Sequence, residues 1–155
     1  MGGEKGVRGH TTCNTMGVHK DGFAAMEIIS GTLDETLRDL MTRLQASVGG
    51  IVVAAVISND GLSLSSTLKE RQHEEKLAAM SASMHLLGDR ISNELMASKS
   101  SQVIILAEKG SILLVAAGNE ATLLCIAHRN ASLGLVLHQM KRYGHEVGEL
   151  LDGGW

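Results

Sequence analysis

The residues whose types could do chemistry are few, and their spacing decides what they can do. His10, Cys13 and His19 are metal ligands by type. Zinc sites need four such groups at close spacings, and this glycine-rich segment offers three. His138 and His145 lie seven residues apart, on one face of a helical pattern. Two helical turns separate them by about 10 Å, too far to share one ion, so they read as part of a solvated face. Cys125 sits mid-run between apolar neighbours and reads as a buried structural thiol. No phosphate-binding G-x-x-x-x-G-K-[ST] loop, no G-x-G-x-x-G and no G-x-S-x-G occurs. Carboxylates fall mostly on helix faces, where solvation is the default. The residues describe no active site, metal site or cofactor site, and point to a protein that is not an enzyme.

The bulk properties agree with a binding module. The chain has 155 residues, 44% hydrophobic and 20% charged, enough for one domain with a real core. Aromatics are 2%, so Leu, Ile, Val, Ala and eight Met must fill that core. There is no proline. Helix ends and turns therefore fall to Gly, Asn, Asp and Ser. A net charge of −3 argues against a nucleic-acid binder. No apolar run approaches the roughly 20 residues that span a bilayer, and the N-terminus lacks the apolar core of a secretory signal. Two cysteines make no disulfide framework, and a cytoplasmic home is the expectation.

The elements that position these residues can be read in order. Residues 1–31 hold seven of the eighteen glycines and read as a flexible extension, ending in a short apolar piece from Phe23 to Ile29. Thr32 and Glu35 form a capping-box pattern opening a helix to Val48, with Leu33, Leu37, Leu40, Met41, Leu44 and Val48 on one face. Gly49-Gly50 ends it. Ile51 to Ile57 is an apolar, β-branched run that suits a strand buried on both faces. Asn59-Asp60-Gly61 turns it into Leu62 and Leu64 alternating with Ser63 and Ser65, an edge strand with one wet face. A longer helix follows from about Glu70 to Ser98. Three runs, Gln102 to Glu108, Ile112 to Ala117 and Thr122 to His128, have connections too short for parallel crossovers and so form an antiparallel meander. Lys109-Gly110 makes the first turn of that meander. A last helix starts near Asn130 to Ser132.

The long helix carries two stripes. Leu77, Met80, Met84, Leu87, Ile91 and Leu95 recur at steps of three and four and read as the core face. Ala78, Ser81, Ala82, Gly88 and Ser92 form a second face of small residues, open to another body. Ala78, Ala82, His85 and Asp89 run in line along it as a candidate partner-binding furrow, in which His85 and Asp89 supply direction. On the competing reading these four face a companion helix.

The order helix, strand–turn–strand, long helix, three-strand meander, helix resembles the roadblock family, the relatives of the dynein light chain. Gly49-Gly50-Ile51, the Asp60-Gly61-Leu62 turn and Leu133-Gly134-Leu135 at the start of the last helix fit that pattern. The resemblance covers residues 32–151, leaving 1–31 as an extension and 152–155 as a tail. It implies an α+β fold: a five-stranded antiparallel sheet of order 2-1-5-4-3, the long helix on one face and two helices on the other. It implies a homodimer joined through the third strands and second helices, with Val103, Ile105, Met84 and Leu87 at the interface. It further implies a prokaryotic adaptor that binds a small Ras-like GTPase and modulates its nucleotide cycle. A scaffold without effect on turnover and a small-molecule sensor are the rival functions. Arg90 and Arg129 have the chemistry of arginine fingers, which speed GTP hydrolysis by about 10³–10⁵-fold when well aimed. As surface arginines they read as solvated.

Overall fold

A single antiparallel sheet organises the computed structural model, which describes residues 31–153. Contacts divide the chain into two units, residues 1–35 and 36–155. Residues 31–35, the described part of the first, are helical. Since Gly31 is already helical, Thr32 and Glu35 lie inside a helix and the expected capping box does not open it. Readings that rest on residues 1–30, including His10, Cys13, His19 and Phe23 to Ile29, fall outside the described residues.

In the second unit, α1 (36–47) buries Leu37, Leu40, Met41 and Leu44, the stripe its periodicity predicts. The chain then enters β1 (Ile51–Ser58) and turns into β2 (Ser63–Ser66). Gly61 sits in that turn at φ +86°, where a side chain would be strained, and donates its N–H to the Ser58 carbonyl at 2.9 Å. The long helix α2 (Arg71–Met96) follows, then β3 (Gln102–Ala107), β4 (Gly110–Ala117), β5 (Ala121–His128) and α3 (Leu133–Asp152). The sheet order is β2-β1-β5-β4-β3, every pair antiparallel, as the resemblance implies.

Two details of the sheet differ from the sequence reading. Ala107 pairs with Gly110, so the first meander turn is Glu108-Lys109 and Gly110 already belongs to the strand. A side chain at Gly110 would strike the Ala127 carbonyl, which is why glycine stands there. In β2 the serines do not form a wet face. Ser65 is buried opposite Val56, while Leu62 is exposed and precedes the strand. A register shift between Val56 and Ile57 breaks the simple alternation the pattern assumed.

The core lies on both sides of the sheet. On one side Ala55, Ile57, Leu114 and Leu124 meet Ala78 of α2, with Leu77, Ala82, Met84, Val103 and Ile112 packed around them. On the other, α3 lies over β4 and β5, with Gly144 against Val115 and Leu123. Val136, Met140 and Val147 of α3 are fully buried. Cys125 is buried in β5, and burial pushes its thiol up to about 12, so it stays protonated and inert.

Candidate functional site

α2 turns only part of its predicted apolar stripe inward: Leu77 and Met84 pack against the core, and the rest of the stripe faces out. Its buried residues are Ala78 and Ser81, and Leu77, Ala82, Met84, His85 and Gly88 are half-buried beside them. Met80, Leu87, Ile91 and Leu95 point to solvent with exposures of 56%, 57%, 52% and 77%. The reason is steric. The sheet supplies bulk through Ile57, Leu114 and Leu124, so the helix fits closely only if its inner side is small. Gly88 marks the closest approach: a Cβ there would lie 2.8 Å from Val103 Cγ2.

This geometry redistributes the residues singled out from sequence. Ala78 is 1% exposed and cannot line an accessible furrow. Ala82, His85 and Asp89 do come together, lining a recess of about 240 Å³ with Asn59, Lys99, Ser100 and Asn119. Of the expected interface residues, Leu87 is exposed, whereas Met84 and Val103 pack partly into the chain's own core. Ile105 is half-buried on β3, paired with Ile112. β3 ends the sheet, so its outer backbone edge has no partner strand among the described residues.

The polar groups around the recess are tightly arranged. Asp89 Oδ1 accepts the Ser100 N–H at 2.9 Å and the Ser100 hydroxyl at 2.7 Å, tying α2 to the loop before β3. The Ser100 hydroxyl is the main cause holding the Asp89 carboxyl below its ordinary range; the Ser100 N–H and the charges of His85 and Lys99 act in the same direction. Asp89 Oδ2 lies 3.7 Å from His85 Nε2, beyond direct hydrogen bonding. His85 Nδ1 is buried with no partner among the described residues. Asn59 donates its amide to the Asn119 carbonyl at 2.8 Å, and Asn119 donates its own to Asp152 at 3.2 Å. Sequence reasoning placed Asp89 on this line of α2 but missed Ser100, in the loop that folds back after α2, and Asn119, in the β4–β5 turn.

The remaining candidates lie on the surface. Arg90, Arg129, His138 and His145 are exposed, and His145 Nε2 lies 3.3 Å from Glu149. Among the described residues no group of three His, Cys, Asp or Glu side chains is placed to hold a metal. No described helix is long and apolar enough to cross a membrane.

The features define a class: an antiparallel five-stranded sheet between one long helix and a helix pair, whose long helix turns an apolar stripe outward. The sequence profile of the Roadblock/LC7 domain matches residues 37–127, more than half of the chain, and the chain belongs to that family. A solved Roadblock/LC7 domain from Streptomyces avermitilis is 32% identical, with a TM-score of 0.58 over 71% of this chain and 96% of that one. A second from the same organism is 22% identical, with a TM-score of 0.69 over 72% of this chain and 93% of that one. Myxococcus xanthus MglB is 18% identical and shares the fold, with a TM-score of 0.69 over 76% of this chain and 88% of that one. No curated protein matches the chain.

Proposed function

We propose that the protein is a non-catalytic, dimeric regulator of a small Ras-like GTPase, working in a prokaryotic cytoplasm. The observation that carries this reading is the outward stripe of α2. Met80, Leu87, Ile91 and Leu95 stand exposed along one line of a single helix. A continuous apolar row is costly to leave in water and marks an interaction surface. It lies on the helix that packs beside the edge of β3, which pairs with no other strand among the described residues and is an aggregation hazard unless covered. A second copy covers both at once, pairing strand with strand and helix with helix around a two-fold axis. The paired helices then form a ridge on which a GTPase switch region, itself mobile, can be held in one state. Family membership supports the GTPase as partner through the resemblance that the order of elements carries.

The interface is tested on Leu87 and Ile91, because their side chains are not needed inside. Leu87→Glu with Ile91→Glu should convert a dimer to a folded monomer in size-exclusion chromatography with light scattering. An unchanged dimer would place the seam elsewhere. Small Ras-like GTPases encoded in the same genome are then loaded with GTP or GDP and assayed for binding and single-turnover hydrolysis. A changed rate or a nucleotide-dependent affinity supports regulation. Binding without either assigns a scaffold, and no binding to any of them removes the GTPase reading.

A further inference from the structure

A chain of hydrogen bonds at one end of the sheet joins its two helical faces. Asp152, in the last turn of α3, accepts two of them from Asn119 in the β4–β5 turn: the backbone N–H at 2.8 Å and the side-chain amide at 3.2 Å. The Asn119 carbonyl in turn accepts the side-chain amide of Asn59 at 2.8 Å. The Asn59 N–H donates to the Glu120 carbonyl at 3.0 Å, so the β1–β2 turn is held at two points. Gly61 of that turn faces α2, where a Cβ would meet Ala79 Cα and Ala82 Cβ at ordinary contact distances of 3.4 and 3.7 Å. The connection thus runs from α3 on one side of the sheet, through two turns, to α2 on the other.

The two ends of this connection are held differently. At the α3 end the approach is backbone to backbone: a Cβ at Gly148 would lie 2.7 Å from the Gly118 nitrogen, so α3 rests directly on the β4–β5 turn. At the α2 end the recess of about 240 Å³ separates helix from turns, lined by Asn59 and Asn119 on one side and Ala82 and Leu86 on the other. Close packing therefore does not fix the turns against α2 at that point, and the bonds made by Asn59 do. Those bonds lie within reach of water, and exposed hydrogen bonds belong to the parts of a fold that open first. The recess gives the turns room to shift when they open.

We propose that Asp152, Asn119 and Asn59 form a latch through which the C-terminal end of α3 sets the position of the β1–β2 turn against α2. Hydrogen-bond networks with a closed and an open arrangement carry coupling between the faces of a domain. Here the closed arrangement holds both turns to Asp152, and the open one leaves the β1–β2 turn tied only through its own strands. Such coupling is reciprocal. A body bound on α2 beside the turn alters the bonds at Asn119, and a change at the end of α3 alters α2. The latch is present in the single chain and requires neither the dimer nor the GTPase.

The test uses the full chain, followed by NMR at a fixed protein concentration. In Asp152→Ala the Asn59 N–H should exchange about fivefold faster, the effect of losing one net hydrogen bond. Asn59 is bonded to Asn119 and Glu120 and not to Asp152, so that response has to travel. The amide resonances of Ala79 and Ala82 should shift with it, while the Leu114 amide in the middle of the sheet exchanges as in the parent. Asp152→Asn keeps an acceptor oxygen and should restore most of the parent behaviour. Adding Asn59→Ala should remove the effect of Asp152→Ala on Ala79 and Ala82, because the link between them is then cut. Asp152 and Asn59 are both exposed, so these variants should keep the fold. A response confined to Asn119, an acceleration that includes Leu114, or a shift of Ala79 and Ala82 that persists in the Asn59→Ala background would overturn the proposal.

Discussion

Asp89 ties its helix to the loop that follows it, and its charge state sets how firmly. The carboxylate is held ionised by the Ser100 hydroxyl first, against the desolvation of its site. A carboxyl whose folded-state pKa is depressed contributes stability in full above its unfolded pKa, roughly 4, and loses it as pH falls through the folded value. Asp89→Asn should therefore cost on the order of 1 kcal/mol at pH 7, the scale of a charge-assisted bond weakened to a neutral one. The gap between variant and parent should narrow progressively in urea melts repeated below pH 4, as pH falls toward and through the depressed folded-state value. A gap that stays constant would mean that the carboxylate charge contributes nothing. Asp89 was legible as a polar group on a line of α2, and Cys125 as a thiol inside a strand. Ser100 was not, because its bond to a residue eleven positions earlier depends on how the loop folds back.

At the scale of the element, α2 was easily recognised and its core face only half right: Leu77 and Met84 pack inward, while Met80, Leu87, Ile91 and Leu95 face out. Periodicity reports that large apolar residues share a face, but not which body they meet. Here the inner side is set by what the sheet leaves room for, and Ala78, Ser81 and Gly88 fit where leucine would not. Gly88→Leu should force α2 away from Val103 and cost about 1–3 kcal/mol, the usual penalty for overpacking. Gly88→Ala puts its Cβ 2.8 Å from Cγ2 of the stiff, β-branched Val103, so the resulting shift should offset the gain of about 1 kcal/mol in helix propensity and leave a loss smaller than that of Gly88→Leu. Denaturant midpoints compare the two directly. Equal losses would show that the close approach does not govern the helix position. α1 was oriented correctly by the same reasoning, since its single stripe had no rival.

For the whole molecule, local patterns gave each strand its place in sequence, and the resemblance gave their order. No local signal says that β1 pairs with β5, from which about half of the chain separates it. That pairing has a consequence for how the protein folds. The β1–β2 hairpin and the β3–β4–β5 meander each need only short loops to form, but joining them closes a long one, and such closures slow folding. The meander should thus be largely built in the transition state, with the β1–β5 seam completing on its downhill side. Leu114→Ala, in the meander, should mainly slow refolding. Val56→Ala, at the seam opposite Leu123, should mainly quicken unfolding. Stopped-flow chevrons distinguish the two, and the reverse pattern would make the seam the nucleus. Because the chain has no proline, prolyl isomerisation cannot add a slow phase to these traces. A slow phase that quickens with protein concentration would then time the meeting of two chains.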